Sequence, residues 1–117
     1  MQARTLPFLA AICAFLAIAF GAFGSHGLSD PEAKAWAATG TQYLLPHAVA
    51  VFALTGWRNS RAMAVAAAIL LLGAAIFSFS LYGLALGLPR FLGMVAPVGG
   101  TLMLAGWLMV AFAVAKR

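Results

Sequence analysis

Charged side chains divide the sequence into four long stretches that contain none of them. The stretches run over Thr5–Ser29, Ala35–Trp57, Ala62–Pro89 and Phe91–Ala115, with 25, 23, 28 and 25 residues. The hydrocarbon core of a bilayer is about 30 Å thick, and about 20 residues of α-helix cross it. The chain is 65% hydrophobic and 8% charged, whereas about 25% of the residues of a soluble domain are charged. The sequence therefore predicts an all-α integral membrane protein with one transmembrane domain over residues 1–117.

The four stretches predict an up-down bundle of four helices. We expect the spans at about residues 6–24, 41–57, 62–87 and 92–114. Ser29-Asp30-Pro31-Glu32 is typical of a helix start, but a helix from there to Trp57 would be about 40 Å long, too long for a simple span. Residues 30–40 are therefore predicted to form a short amphipathic interfacial helix, with a bend at Gly40 before the second span.

The basic residues predict the orientation of the bundle, because Lys and Arg concentrate near the cytoplasmic ends of membrane helices. With four spans, only Lys34 and Arg90 lie on the side opposite the termini, where Asp30 and Glu32 offset their charge. Both termini are therefore expected in the cytoplasm. The net charge of +5 indicates this topology and an attraction to anionic lipid, with no nucleic-acid partner. The basic residues on the side of the termini are Arg4, Arg58, Arg61, Lys116 and Arg117.

A few polar residues interrupt the apolar stretches and form a candidate functional cluster. His47 is the most informative, because ionisable residues inside a membrane are rare and face protein or water. Tyr43 precedes His47 by four residues, as Ser78 precedes Tyr82, so each pair shares a helix face. Most members fall in the outer half of the predicted bundle, and His47 lies deeper. The cluster comprises His26, Gln42, Tyr43, His47, Ser78, Ser80, Tyr82, Pro97 and Thr101.

Three roles are open for this cluster. In the first, a neutral His47 donates a hydrogen bond to a freed carbonyl or a serine and fixes the second helix against the third. In the second, the cluster lines a cavity that binds or conducts a small solute, an ion or a proton, for which imidazole is a suitable relay. In the third, His26 and His47 ligate a haem, which requires the two rings to face each other at one depth.

The sequence predicts neither a metal site nor an enzyme. Two histidines and the single Cys13 do not make a zinc site, and no cofactor is expected. Within the apolar stretches there is no Asp or Glu, and no glycine-rich phosphate loop follows a strand.

Small residues predict close contacts between helices. The spacings Gly83-x3-Gly87 and Ala17-x3-Gly21 allow two helix backbones to approach each other. Such stripes serve either packing inside the bundle or contact between subunits, and both remain open. The glycines predicted to pack are Gly21, Gly83, Gly87, Gly99, Gly100 and Gly106.

Four motifs, in order along the chain, resemble those of one family. Residues 21–28, with the sequence GAFGSHGL, resemble the G-A-F-G-A-H-G-L signature of the domain of unknown function 423 family, to which eukaryotic transmembrane protein 256 is similar. The segments Tyr43-x3-His47-Ala48, residues 77–82, and Pro97-x-Gly99-Gly100 with Gly106-Trp107 match its other motifs. Phe79 stands where the family usually has glycine, and Ala96 where it usually has threonine.

The resemblance covers nearly the whole chain and implies a small four-helix protein of the bacterial plasma (inner) membrane, with no assigned activity. We expect a non-enzymatic structural or accessory component that contacts membrane lipid and either forms a homo-oligomer or joins a larger membrane complex. The alternative is a channel or carrier for a small solute, ion or proton that uses the polar cluster. A haem-binding membrane protein is a further alternative.

Overall fold

The computed structural model describes residues 4–116, and these form four α-helices joined by short loops. The helices are α1 (Thr5–Gly27), α2 (Pro31–Trp57), α3 (Arg61–Ala85) and α4 (Leu92–Ala115). The all-α prediction is therefore confirmed for this part of the chain. Arg117, one of the five basic residues expected on the side of the termini, lies outside the described residues.

Three of these four helices are long and apolar enough to cross a membrane, namely α1, α3 and α4. Helix α2 is the longest, with 27 residues. It is not among the three, because Gln42, Tyr43 and His47 interrupt its apolar sequence. These three helices thus agree with the membrane protein predicted from the charge-free stretches. The sequence of α2 alone does not explain how this helix would lie in a membrane.

Helix α2 is continuous where the sequence predicts an interfacial helix followed by a separate span. It runs without interruption through Gly40, so the predicted break at this residue is wrong. The helix begins after Asp30, whose Oδ2 accepts a hydrogen bond from the Ala33 N–H at 2.9 Å. Gly40 instead permits a close contact, because a Cβ there would lie 2.7 Å from Cε1 of Tyr82 on α3.

Helix α3 is the centre of the structure and packs against each of the other three helices. It also has the most buried residues. The contacts of Gly21 with Thr41 and of Gly24 with Ala37 show that α1 and α2 are antiparallel. Those of Gly99 with Gly73 and of Gly106 with Leu70 show the same for α3 and α4. Over residues 4–116, however, the backbone of α4 approaches neither α1 nor α2. The up-down order is as predicted, but the four helices form an open arrangement around α3 instead of a closed bundle.

The tightest helix contact joins α3 and α4 at two glycines. A Cβ at Gly99 would meet the backbone N of Phe77 and lie 2.5 Å from the carbonyl oxygen of Gly73. A Cβ at Gly73 would lie 2.8 Å from the carbonyl oxygen of Gly99. Because backbone touches backbone on both sides, only glycine fits at either position. In lipid, such close packing is a main source of helix association.

The six glycines that the sequence predicts to pack have different roles. Gly21, Gly83 and Gly106 lie against side chains of neighbouring elements, and Gly99 against backbone. Gly100 and Gly87 do not pack, since a Cβ at either would meet nothing within 4 Å.

Gly87 has a positive φ of 90° and ends α3. Its N–H donates to the Leu84 carbonyl at 3.1 Å, and the Leu88 N–H donates to the Gly83 carbonyl at 2.9 Å, which is a Schellman motif.

Replacing Gly99 with Ala is expected to lower the free energy of unfolding by about 1–3 kcal/mol, because the new methyl group overlaps backbone atoms that cannot rotate away. Gly100→Ala is the matched control on the same helix and should change stability by less than about 0.5 kcal/mol. Unfolding by SDS in mixed micelles, followed by circular dichroism, measures both. An equal loss in the two variants would contradict the α3–α4 contact.

Candidate functional site

The nine polar residues expected to form one cluster are separated into different environments. Ser78 and Tyr82 are buried in a network between helices, and Ser80 donates to the Ile76 carbonyl of its own helix at 2.6 Å. His26 and Gln42 are exposed and have no hydrogen-bond partner among residues 4–116. The remaining four line a groove on the side of the protein: Tyr43, His47, Pro97 and Thr101.

The buried network joins α1, α2 and α3. Thr41 Oγ1–H donates to the Ala17 carbonyl of α1 at 2.8 Å, and the same oxygen lies 2.8 Å from the Tyr82 hydroxyl of α3. Because a threonine hydroxyl has one hydrogen, Tyr82 must be the donor to Thr41. The Tyr82 ring also stacks on Phe20 of α1, with centroids 4.3 Å apart and an angle of 8°. One tyrosine thus connects all three helices.

Ser78 completes the network. It is fully buried, and its hydroxyl donates to the Gly40 carbonyl of α2 at 2.8 Å. Gly40 is the residue against which the Tyr82 ring lies, so its missing side chain permits both contacts. Throughout the described part of the chain, every buried polar side-chain atom has a hydrogen-bond partner. The buried polar groups of the interior therefore need no further hydrogen-bond partner.

Sequence reasoning identified Ser78 and Tyr82 but missed Thr41 and misread Gly40. The signal that could have identified them is the Gly-Thr pair inside a membrane helix, where glycine admits a neighbour and threonine has a hydroxyl to offer it.

Replacing Thr41 with Val should lower the free energy of unfolding by about 1 kcal/mol or more, because it leaves the Tyr82 hydroxyl buried without an acceptor. Thr55→Val is the control on the same helix. Thr55 bonds only carbonyls of its own helix, at Val51 and Phe52, and is expected to tolerate the change. The same SDS titration measures both variants, and a loss as large for Thr55→Val as for Thr41→Val would refute the network's role.

His47 joins α2 to α4. Its Nδ1 lies 2.7 Å from the Tyr43 carbonyl, and its Nε2 accepts a hydrogen bond from the Trp107 Nε1–H at 3.0 Å. A carbonyl can only accept and an indole N–H can only donate, so the imidazole is neutral with its hydrogen on Nδ1. In the first of the three roles that the sequence left open, His47 fixes α2 against α3. In the structure, the side-chain partner of His47 lies on α4 instead.

A second side chain also links α2 to α4. Arg58, which follows α2, donates from Nη1 to the Ala113 carbonyl at 2.7 Å and to the Lys116 carbonyl at 3.2 Å. A cation at the carboxyl end of a helix is favourable, because the helix dipole is negative there. The backbones of α2 and α4 are apart, so His47 and Arg58 hold the two helices across α3.

The space between α2 and α4 is an open groove of about 530 Å³ that includes the Phe77 side chain of α3. Aromatic rings follow one another along it. The Tyr43 and Phe77 centroids are 4.9 Å apart, those of Tyr43 and His47 are 6.5 Å apart, and those of His47 and Trp107 are 5.9 Å apart. The full lining is Tyr43, His47, Phe77, Pro97, Gly100, Thr101, Met103, Leu104 and Trp107.

The predicted site omitted Phe77 and Trp107, although both belong to the motifs quoted for the family resemblance. Nothing in the spacing of the sequence places Trp107 beside His47, which is 60 residues away. Only the packing of both α2 and α4 on α3 brings these side chains together.

Within residues 4–116, no group of three or more His, Cys, Asp or Glu residues could hold a metal ion. His26 lies in the last turn of α1, close to Gly24, which meets Ala37 of α2, whereas His47 lies ten residues further along α2, a distance of about 15 Å. Both ring nitrogens of His47 are engaged in hydrogen bonds within the protein. The geometry therefore offers no pair of free imidazoles for a haem.

These features define a small helical membrane protein with a satisfied polar interior and an open aromatic groove at its side. The chain belongs to the family described as Protein of unknown function (DUF423), which it matches over residues 20–100. The family expected from the four motifs is thereby confirmed.

Several bacterial membrane proteins are similar to it over most of their length. The UPF0382 membrane protein of Haemophilus influenzae is 37% identical over 109 residues, which is 89% of this chain and 88% of the relative. The UPF0382 inner membrane protein YgdD of Escherichia coli K12 is 37% identical over 94% of this chain and 88% of its own. A UPF0382 membrane protein of Staphylococcus haemolyticus is 36% identical over 92% and 93%.

No solved structure matches the chain at a comparable significance. The relatives and the three apolar helices agree with the predicted localisation, and this chain is a protein of the bacterial inner membrane.

Proposed function

We propose that this chain is a non-enzymatic component of the inner membrane that associates with a second copy of itself through the exposed face of α2. The observation that carries the proposal is the position of Gln42. Its amide is exposed on α2 and has no hydrogen-bond partner among the described residues. An unpaired amide in hydrocarbon is unfavourable, and interhelical hydrogen bonds are a recognised means of satisfying it.

The residues around Gln42 support a helix–helix contact. The exposed face of α2 repeats at intervals of three and four residues, and most of its members are small. At Gly56, a Cβ would meet nothing within 4 Å, so the glycine is not used inside the protein. Small residues at this spacing allow a second helix to come close. The face consists of Ala35, Ala38, Gln42, Pro46, Val49, Ala53 and Gly56.

A second copy is the occupant we favour, because an amide both donates and accepts. In a two-fold interface the same patch meets itself, so the two Gln42 side chains can pair reciprocally. Several small residues of α1 and α4 are already used inside the protein. Ala10 and Ala17 are buried, and Gly21, Gly99 and Gly106 contact neighbouring helices of the same chain.

We further propose that all four helices cross the membrane, with both termini in the cytoplasm. The contacts of Arg58 with Ala113 and Lys116 support this orientation, because they put the α2–α3 loop beside the end of α4. The basic residues of that loop and of the termini then lie on one side, as Lys and Arg do near cytoplasmic ends. Arg90 lies at the other end, where its Nη2 is 3.9 Å from Glu32 Oε1.

We do not propose a channel or a carrier. A water-filled path needs a series of polar groups that face an open space, whereas the hydroxyls of Ser78, Ser80 and Tyr82 are buried and bonded to protein. In the open groove, the one hydroxyl without a partner among residues 4–116 is that of Tyr43. Membership of a larger complex remains the natural alternative to self-association, and it is an outcome of the experiment below.

Gln42→Leu is expected to weaken dimerisation about 5- to 30-fold, the effect of losing about 1–2 kcal/mol of interhelical hydrogen bonding. Ala53→Phe should weaken it further by separating the helices. Ala111→Phe, at an exposed alanine of α4, introduces the same ring elsewhere and should leave the dimer unchanged.

Single-molecule photobleaching of labelled protein in liposomes, over a series of protein-to-lipid ratios, measures the dimer fraction. A chain that stays monomeric at every ratio would refute self-association and leave a partner of a different sequence as the alternative. An equal effect of Ala53→Phe and Ala111→Phe would show that the contact does not use α2.

A further inference from the structure

The groove between α2 and α4 has a chemical character that the proposed self-association does not use. Four of the nine residues that line it have aromatic rings, and none of the nine is an Asp, Glu, Lys or Arg. The groove therefore offers a ligand no charged partner and favours an uncharged one. The volume of about 530 Å³ lies within the range of about 300–1,000 Å³ that is usual for small-molecule sites.

The hydrogen-bonding groups of the groove are almost all occupied. His47 and Trp107 bond to each other, and Thr101 donates its hydrogen to the Pro97 carbonyl at 2.9 Å. The exception is Tyr43, which is 41% exposed and whose hydroxyl has no partner among residues 4–116. Tyr43 thus presents one free O–H donor at the edge of a wall of rings.

These properties of the groove favour a ligand of a particular shape and chemistry. A flat conjugated ring can stack on Tyr43, Phe77 or Trp107 or meet them edge-on, and a flexible chain lacks the additional attraction of such aromatic pairs. The free hydroxyl can donate to an acceptor on the ligand, which the hydrocarbon part of a lipid acyl chain does not have. The groove lies beside helices that face lipid, so the ligand must be soluble in the bilayer.

We propose that this groove binds the ring of a lipid-soluble quinone, with a quinone carbonyl accepting the hydrogen bond of the Tyr43 hydroxyl. The ring lies among Phe77, His47 and Trp107, and the isoprenoid tail extends into the bilayer. The proposal concerns binding of the oxidised ring and includes no electron transfer. It does not depend on self-association, which uses Gln42 and its neighbours on α2.

The test uses the intrinsic fluorescence of Trp107, which lines the groove. Trp36 and Trp57 are replaced with Phe, so that Trp107 is the one tryptophan of the full-length chain. This variant is placed in liposomes of phosphatidylethanolamine and phosphatidylglycerol. Decyl-ubiquinone is the probe. Binding in the groove predicts quenching that saturates with quinone, whereas collision in the bilayer predicts quenching that rises in proportion to quinone and does not saturate.

Three substitutions in this background identify the site. Tyr43→Phe keeps the ring and removes the donor, and it should weaken saturable binding about tenfold, the effect of one lost hydrogen bond. Gly100→Leu should abolish binding, because position 100 lines the groove and a side chain there enters open space. Phe15→Leu, which removes an exposed ring on α1, should leave binding unchanged.

Other outcomes would overturn the proposal. Unsaturable quenching that is equal in all variants would mean that the quinone only dissolves in the bilayer. Lipids with brominated acyl chains also quench tryptophan fluorescence. If they quench Trp107 and decyl-ubiquinone does not relieve this quenching, an acyl chain fills the groove. Trp107 emission that changes with the protein-to-lipid ratio and not with quinone would mean that a second copy of the chain covers it.

Discussion

Helix α2 is less apolar than its three neighbours, and the rest of the structure depends on how its polar groups are covered. In a bilayer there is no water to satisfy such groups, so each needs a partner from protein. Thr41 finds the Ala17 carbonyl and the Tyr82 hydroxyl, the Gly40 carbonyl accepts from Ser78, and His47 accepts from Trp107. All three other helices therefore contribute a partner to α2.

The central position of α3 follows from this requirement. A helix that donates to α2 through Ser78 and Tyr82 on one face must still be held on its other faces. On the α4 side this is achieved by Gly73 and Gly99, where two backbones touch. Between lipid-embedded helices the hydrophobic effect contributes little, so close packing and interhelical hydrogen bonds supply the association. The open arrangement leaves α2 and α4 apart, and the groove is the space between them.

The sequence was sufficient to predict α1, α3 and α4, but not the continuity of α2 or the contacts between helices. Charge-free stretches of membrane length mark α1, α3 and α4 directly, because length and apolarity are properties of each segment alone. Gly40 shows the limit of such reasoning. As a local signal, a glycine indicates a bend, whereas here the helix continues and the glycine makes room for Tyr82.

The polar residues show the same limit. Tyr43, Ser78 and Thr101 are expected at a similar depth in the membrane. Which of them are in contact, however, depends on how each helix is rotated about its own axis. The structure places Ser78 in the interior and the other two at the groove. The contact of His47 with Trp107 depends on two helices that both pack on a third, and no spacing along the chain encodes that.

The central proposal is that α2 spans the membrane because the other helices cover the polar groups of Gly40, Thr41 and His47. Mapping of the loops on either side of α2 with membrane-impermeant maleimides tests it, by means of single cysteines at Ser29 and Asn59 in a chain with Cys13 replaced by Ser. In the intact protein, the two loops should react from opposite sides of the membrane. The same α2 segment placed alone in an unrelated host should insert in only a minority of chains. Loops that react from one side in the intact protein, or an isolated α2 that inserts as readily as the intact chain does, would contradict this account.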